Sequence, residues 1–247
     1  MKWFPGISAA AILLLSVSVA QAGPIGPFEV LSPGESEYRV DTGGGYFHQG
    51  RKMRSKPGEF ILTREEVFGT LRYTGYDWSV AARLGGASFN EESKADGSTR
   101  SFGFQPMVGF VAKGLVYADH AGDFGVGATV QATRYLTDAY QDYFNVGLAV
   151  MAQKQWGEKA TLYGGPYFSY GSGRRKASVL DNNGLAPVDY IKETPLVGLC
   201  AGFNLALPRS MSFEVEGQYT GLTGGNGFST ELSDWGVGAM LRFPLWF

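Results

Sequence analysis

Few side chains in this chain have the chemistry that catalysis or metal binding requires. There are two histidines, His48 and His120, and a single cysteine, Cys200. A lone cysteine cannot form an intramolecular disulfide, and zinc sites draw on several closely spaced cysteine and histidine ligands. We therefore predict no disulfide scaffold, no metal site and no cofactor.

Composition excludes two further classes of binding chemistry. The glycine clusters Gly43-Gly44-Gly45 and Gly224-Gly225 do not join a strand to a helix, so we interpret them as bends or close-packed wall and not as phosphate loops. The formal net charge is −2 and no basic stripe is present, so we expect no nucleic-acid partner. Glycine is abundant (36 residues) and aromatic residues make up 14% of the chain, whereas charged residues make up only 18%. Abundant glycine and aromatics with little charge are typical of a small membrane barrel.

The elements that must position the remaining polar residues are strands. Residues 144–152, for example, place Phe, Val, Leu, Val and Ala on one face and smaller or polar residues on the other. Residues 59–74 are less regular, because their apolar parity changes between Thr63 and Glu66, and this predicts a bulge or a late strand start. The same alternation predicts ten strands, near 37–48, 59–74, 76–88, 100–117, 122–134, 142–156, 159–172, 190–207, 210–221 and 233–247.

The last of these strands is the most distinctive. From Trp235 onward every second residue is apolar, and the sequence closes on Phe243, Leu245 and Phe247. A long alternating strand that ends in an aromatic residue resembles the closing strand of bacterial outer-membrane β-barrels. In that family the segment is read by the barrel-assembly machinery, so the resemblance implies that Phe243, Leu245 and Phe247 form an assembly signal. Pro244 departs from the family pattern, and the usual glycine position is not cleanly matched.

The connections between the predicted strands support the same fold. Those after strands two, four, six and eight are short, and those after strands one, three, five, seven and nine are longer. Alternating short and long connections are the sidedness of an outer-membrane barrel, and an even strand count places both termini in the periplasm. We therefore predict an all-β, antiparallel up-and-down transmembrane β-barrel of about ten strands, with eight or twelve as alternatives. A soluble sandwich or lipocalin-like barrel is disfavoured, because it needs large apolar residues inside.

Aromatic residues predict a girdle at each membrane boundary, because rings with a polar edge favour the lipid–water interface. The short-turn girdle would comprise Tyr73, Tyr76, Trp78, Trp156 and Trp246, and the long-loop girdle Phe102, Tyr143, Tyr170, Tyr219 and Trp235.

The beginning of the chain is typical of an exported protein. Lys2 is followed by an apolar run that is too short to span a membrane, and Ala20-Gln21-Ala22 has the form that signal peptidase cleaves. We predict a cleaved signal peptide over 1–22, with an uncleaved membrane anchor as the alternative. Residues 23–36 would be a periplasmic lead-in and residues 37–247 the barrel, located in the outer membrane of a Gram-negative cell.

If the aliphatic face contacts lipid, charged residues on the opposite face point into the lumen. Ionised groups in a narrow lumen must be paired or hydrated. We hypothesise a salt-bridge network that occludes much of the lumen, with a narrow, weakly selective pore or gate as the alternative. The network would comprise Arg39, Asp41, Arg72, Asp77, Arg83, Lys113, Glu214, Glu216 and Arg242, with Arg242 level with Glu214.

Catalytic patterns of barrel enzymes are missing from the sequence. Omptin-like outer-membrane proteases have ten strands with paired aspartates and an Asp-x-His pair, and lipid A deacylases have His-x-Ser; neither pattern occurs here. His48 could act with Asp41 or Glu37, but a surface histidine at a strand end is the simpler interpretation. We therefore predict that the chain is not an enzyme.

The function predicted from sequence is structural or interactive: a surface barrel with an occluded lumen, or alternatively a small porin or narrow specific channel. The expected partners are outer-membrane lipids and lipopolysaccharide, and the barrel-assembly machinery during biogenesis. Arg174, Arg175 and Lys176 on a long loop could contact anionic lipopolysaccharide, or form a solvated loop tip.

Overall fold

The computed structural model describes residues 38–55, 58–119, 123–138, 140–157, 159–175, 191–193, 196–219 and 235–245. The signal-peptide and lead-in predictions and His120 lie outside these residues. Besides a short 3₁₀ helix at Pro208–Ser210, the secondary structure is β: β1 Arg39–Ser55, β2 Gly58–Thr74, β3 Trp78–Ser93, β4 Thr99–Ala118, β5 Phe124–Tyr135, β6 Tyr140–Trp156, β7 Ala160–Arg175, β8 Ile191–Glu193, β9 Leu196–Ala206, β10 Ser212–Tyr219 and β11 Trp235–Pro244. Among the described residues, no helix is long and apolar enough to cross a membrane.

Ten of the described strands form a closed antiparallel barrel. Strands β1 to β7 pair in sequence order, followed by β9, β10 and β11. Strand β11 then pairs with β1, from Asp41 opposite Pro244 to Gln49 opposite Gly236, and this pairing closes the wall. The predicted fold, an up-and-down barrel of about ten strands, is confirmed.

The two ends of the barrel differ. The inner end holds the beginning of β1 and the end of β11, where the Leu245 amide donates a backbone hydrogen bond to the Val40 carbonyl. The connections through residues 75–77, 119–123, 157–159 and 207–211 lie at the same end. At the outer end β1 and β2 are joined by residues 56–57 and β5 and β6 by 136–139. The predicted strict alternation of short and long connections is therefore wrong for β1 to β6. Strands β1 and β3 continue into segments that the sequence predicts to be loops. The charged residues of these segments, such as Arg51 and Glu91, face the lumen.

Strand β8 gives the outer end a different strand count from the inner end. It pairs with β7, where Lys192 lies opposite Ser172, and with β1, where Glu193 lies opposite Met53. Strands β7 and β1 are not neighbours in the ten-strand wall. Nearer the inner end β7 pairs with β9 as far as Ser169, and β1 pairs with β11 as far as Gln49. Among the described residues, the outer mouth is therefore a ring of eight strands above a barrel of ten.

Apolar residues face outward and charged residues face inward, which is the reverse of their distribution in a soluble protein. Large apolar residues are exposed on the outer wall, including Val67, Leu84, Leu148, Val150 and Val237. Their strand neighbours point inward, and many are polar or charged. Exposed aliphatics around a closed barrel with charges inside are the pattern of a transmembrane β-barrel, whose wall faces lipid. The resemblance to outer-membrane barrels therefore holds at the level of the fold.

The bulge predicted within β2 is wrong. The pairing of β2 with β1 and β3 continues through Thr63 to Glu66 without a register shift, and every even-numbered residue from Phe60 to Thr74 is buried. The apolar parity changes because the outer half of the lumen is itself lined by large apolar residues such as Phe60 and Leu62. Register shifts occur instead in β3–β4, β4–β5 and β6–β7.

Candidate functional site: the lumen and its rims

The structure brings most of the predicted lumen charges together. Asp41, Arg72, Arg83, Lys113, Glu214, Glu216 and Arg242 are all buried inside the barrel. Arg39 is partly exposed at the inner rim, where its Nε lies 3.0 Å from Asp41 Oδ1. Asp77 is placed elsewhere: it lies in the exposed turn between β2 and β3, since β2 ends at Thr74. Asp77 therefore does not belong to the lumen cluster.

The inner half of the lumen is held by a carboxylate pair on β10. Arg242 on β11 forms the predicted contact with Glu214, as a diagonal ion pair, since the register partner of Arg242 is Ser212. The Tyr163 hydroxyl, from β7 two strands away, lies 3.3 Å from Glu214 Oε1 and 3.1 Å from Glu216 Oε2. Gln218 donates to Glu216 Oε1 at 2.8 Å. Both carboxylates are fully buried, so these donors replace the water that each has lost.

Hydrogen bonds continue from this pair into the outer half of the lumen. Gln49 Nε2 donates to Gln218 Oε1 at 3.1 Å, and Arg64 Nη2 donates to Gln49 Oε1 at 2.7 Å. Arg64 Nε lies 2.7 Å from Glu66 Oε1, which also accepts the Tyr135 hydroxyl at 2.5 Å. A connected series of buried polar groups therefore runs from Arg242 near the inner end to Tyr135 near the outer end.

Positive charge is concentrated on the opposite wall from the carboxylates of β10. Arg72, Arg83 and Lys113 project from the adjacent strands β2, β3 and β4. Arg83 donates to Gln131 at 3.3 Å, and its guanidinium carbon lies 4.9 Å from the centre of the Phe68 ring. A small cavity of about 10 Å³ adjoins the three cationic side chains. The cations of β2, β3 and β4 thus lie on a different part of the wall from the carboxylates of β10, although Arg242 lies beside Glu214 and Glu66 beside Arg64.

An aromatic cluster, which the sequence did not predict, lies in the outer half of the lumen. The Phe89 ring packs edge-to-face against Tyr135, Tyr140 and Tyr143 at centroid distances of 5.3, 6.1 and 5.8 Å. The Tyr140 hydroxyl hydrogen-bonds to buried Glu91. Tyr143 therefore belongs to the interior and not to the outer aromatic girdle. The parity change in β2 was the signal that could have revealed this cluster.

Arg51, which the sequence predicts to lie in a loop, also faces the outer half of the lumen. Arg51 is buried and its Nη2 lies 3.3 Å from the Tyr167 hydroxyl and 3.5 Å from Ser169 Oγ. Asn145 Nδ2 donates to the same Ser169 oxygen at 3.3 Å. These contacts tie β1 to β6 and β7 across the lumen.

A polar row lies on the lipid-facing surface, just beyond the aliphatic band. His48, Glu65 and Ser88 are register partners on β1, β2 and β3. His48 Nδ1 lies 3.6 Å from Glu65 Oε1, and Ser88 Oγ lies 3.4 Å from Glu65 Oε2. His48 therefore points away from Asp41, which is inside the barrel. The carboxylate stands between histidine and serine, whereas a serine–histidine–acid triad needs the imidazole between the other two groups.

The outer rim carries exposed charges of both signs. Arg174 is exposed, and Arg134 Nη2 lies 2.5 Å from Asp142 Oδ1 on the neighbouring strand. The Arg175 side chain and Lys176 lie outside the described residues. In the β3–β4 turn, the Ser93 hydroxyl and then the amide and hydroxyl of Ser98 lower the pKa of Asp96 to about 2, because they favour its charged form.

The predicted assembly signal is partly visible. Strand β11 ends at Pro244, with Phe243 exposed on the lipid-facing side and Leu245 partly buried. Phe247 lies outside the described residues. Among the described residues, no group of three or more His, Cys, Asp or Glu side chains could hold a metal ion.

Comparisons with known proteins concern the fold. No protein-family model matches the chain, and no curated protein matches its sequence. The chain is similar to an outer membrane channel from Pseudomonas putida F1, at 12% identity and a TM-score of 0.41, over 87% of this chain and 100% of the channel. It is also similar to the outer membrane protease OmpT from Escherichia coli, at 12% identity and a TM-score of 0.40, over 88% of this chain and 99% of the protease. Similarity this distant assigns neither function to this chain.

The prediction that the chain is not an enzyme requires correction. One of the two solved barrels is a protease, so a barrel of this general architecture is compatible with enzymatic activity. The missing Asp-x-His and His-x-Ser patterns exclude two known arrangements of residues and do not exclude catalysis as such.

Proposed function

We propose that the chain is an integral outer-membrane β-barrel whose lumen is occluded by its own side chains and whose role is structural or surface-interacting. The observation that carries this proposal is the connected series of buried hydrogen bonds and ion pairs from Arg242 to Tyr135. This series and the aromatic cluster around Phe89 extend from the inner to the outer half of the described lumen, which supports an occluded lumen.

Energetics favour a plug that stays in place. Opening a path would break the hydrogen bond from the Tyr135 hydroxyl on β5 to Glu66 on β2, both of which are buried. Leaving a buried polar group without its partner typically costs about 1–3 kcal/mol, and more for a charged group. The narrowing of the outer mouth to eight strands supports the same proposal, because an eight-strand ring is just wide enough for side chains to fill.

The test is the conductance of the refolded barrel in planar lipid bilayers. A heat-modifiability gel first establishes that the barrel is closed, since a folded barrel migrates faster than the boiled chain. We expect a folded barrel without steady current. A steady open current from the folded wild type would refute the occluded lumen.

The alternative function is a narrow specific channel, and the distribution of charge in the lumen favours it. Cations on β2, β3 and β4 adjoin a small cavity in the lumen, and the buried carboxylates of β10 lie on another part of the wall. A charge distribution of this kind would select ions by charge. Under this alternative, discrete openings appear and Arg83→Gln changes their ion selectivity, whereas Lys154→Gln, an exposed change on β6, leaves it unaltered.

Partners at the cell envelope complete the proposal. Arg174, with Arg175 and Lys176 beyond it, would contact the phosphates of lipopolysaccharide, supported by the exposed position of Arg174 at the outer rim. The terminal strand with Phe243, Leu245 and Phe247 would be read by the barrel-assembly machinery after export and removal of residues 1–22. Replacing Phe247 with Ala and following folded barrel in the outer membrane tests the assembly signal.

A further inference from the structure

We propose that the outer wall of the barrel binds one glycolipid of the outer leaflet. The sugar headgroup would lie on the polar row of His48, Glu65 and Ser88, and an acyl chain would lie in a depression below that row. This site requires the proposed location in the outer membrane, but neither the occluded lumen nor the contact proposed for Arg174.

Glu65 is the centre of the polar row. Its carboxylate lies 3.6 Å from His48 Nδ1 and 3.4 Å from Ser88 Oγ. The Tyr46 hydroxyl also hydrogen-bonds to it. The Glu65 side chain is nevertheless 48% exposed, and a carboxylate offers about four lone-pair positions, so it can accept further hydrogen bonds. The row therefore presents a strong acceptor beside a phenol, an imidazole and a hydroxyl.

This mixture of donors and acceptors suits hydroxyl groups better than phosphate. A sugar hydroxyl both donates and accepts, so it can donate to Glu65 and accept from Tyr46 or Ser88. The bond to the carboxylate is charge-assisted and stronger than a neutral one. A phosphate would instead lie beside a carboxylate of the same charge, which costs binding energy. The polar row therefore favours the hydroxyl-rich surface that a sugar presents.

The polar row lies at the height of lipid headgroups. Glu65 is nine residues from Thr74, where β2 ends at the inner rim. At a rise of about 3.3 Å per residue and a strand tilt of about 35–45°, nine residues climb about 21–24 Å. The apolar band of a membrane barrel is about 25 Å tall, so the row stands at the outer edge of this band. In an outer membrane the headgroups at that edge belong to glycolipids.

A depression lies in the apolar wall below the row. Gly44 on β1 and Gly69 on β2 are register partners, and both are exposed. The nearest heavy atom to a Cβ placed on either glycine would be 3.7 Å away, so the space above them is open. Leu241 on β11 is the other register partner of Gly44, and Leu84 on β3 is that of Gly69. The depression thus has a leucine on each side, which fits an acyl chain.

The polar row and the depression are continuous along the strands. His48, Tyr46 and Gly44 alternate on the outward face of β1, as Glu65, Val67 and Gly69 do on β2. The glycines are therefore four residues from the row, or about 13 Å along each strand. A lipid with its headgroup on the row places an acyl chain over the glycines. The polar and apolar parts together match one amphiphile.

The direct test is native mass spectrometry of the whole refolded barrel in detergent. Rough lipopolysaccharide is the probe, and phosphatidylglycerol, which carries a phosphate without a sugar, is the comparison lipid. We expect one retained lipopolysaccharide molecule per barrel and weaker retention of phosphatidylglycerol. Equal retention of the two lipids would overturn the sugar headgroup, and a barrel that retains no lipopolysaccharide would overturn the site.

Variants of the polar row separate this site from the loop contact. Glu65→Gln keeps the shape of the side chain and removes its charge, so it should weaken lipopolysaccharide binding by about tenfold. Glu92→Gln, at an exposed glutamate on β3, should bind as the wild type does. If Arg174→Gln abolishes binding and Glu65→Gln does not, lipopolysaccharide is held by the loop and the site on the wall is refuted.

A second pair of variants tests the depression. Gly69→Leu fills it with a side chain that meets open space, and it should weaken lipopolysaccharide binding. Ala128→Leu, at an exposed position of β5 on another part of the wall, should not. Heat-modifiability gels establish that each variant is a closed barrel. Wild-type binding by folded Gly69→Leu would refute the acyl-chain position, and Glu65→Gln keeps the test decisive if Gly69→Leu fails to fold.

Discussion

Neighbouring residues in a strand of this barrel have opposite surroundings. Glu65 and Glu66 are adjacent in β2, yet the Glu65 side chain is 48% exposed on the outer wall and Glu66 is fully buried in the lumen. Successive side chains of a strand point to opposite faces, so one position decides whether a carboxylate meets lipid headgroups or an arginine. Glu66 accepts from Tyr135 and pairs with Arg64.

We predict that Glu66→Ala destabilises the barrel by about 3–5 kcal/mol, because Arg64 would remain buried without its counter-charge. Glu65→Ala should change stability by less than about 0.5 kcal/mol, as exposed substitutions usually do. Urea unfolding of the refolded proteins in detergent, followed by tryptophan fluorescence, measures both variants. Similar losses in the two variants would contradict the assigned burial of Glu66.

At the scale of elements, close backbone approach limits where side chains can be added. Gly165 in β7 lies against β6: a Cβ placed on it would collide with the Val150 carbonyl oxygen and lie 3.0 Å from Met151 Cα. Both obstacles are backbone atoms, which cannot rotate away. The strand pair β6–β7 therefore needs glycine here, whereas exposed Gly103 in β4 has no neighbour within 4 Å of its Cβ position.

Gly165→Ala should therefore destabilise the barrel by about 1–3 kcal/mol through overpacking. Gly103→Ala, the same substitution in another strand, should stay within about 0.5 kcal/mol of the wild type. Heat-modifiability gels run over a temperature series report the midpoint of barrel opening for each. If both variants open at the same midpoint temperature as the wild type, β6 and β7 are further apart at Gly165 than the structure indicates.

At the scale of the whole molecule, the distribution of residues between the faces matches a lipid environment. Leu148 lies at the centre of an outward run on β6 that contains Phe144, Val146, Val150 and Ala152. Val116 is also exposed on the outer wall, but it lies near the inner end of β4. In a bilayer the first position would be deep in hydrocarbon and the second close to the interface.

We expect Leu148→Arg to cost about 2–4 kcal/mol in lipid vesicles and Val116→Arg no more than about 1 kcal/mol, since the penalty for arginine depends on depth. Reversible folding into vesicles, titrated with denaturant, gives both free energies. Two small and equal costs would indicate that this wall does not face lipid.

The sequence by itself determined the fold class, ten strands, and the side of the wall on which the charges lie, because side-chain alternation is a local property of a strand. It also predicted that Arg242 and Glu214 come together; they form a diagonal ion pair, because Arg242 is the register partner of Ser212 and Glu214 that of Met240. Only the tertiary structure decided that β8 narrows the outer mouth, that β2 has no bulge, and that Tyr143 and Arg51 are internal. These features depend on contacts across the lumen between strands distant in sequence, such as β1 with β7 and β3 with β6. Alternation along one strand distinguishes its two faces, but it does not specify what fills the space that a closed barrel encloses.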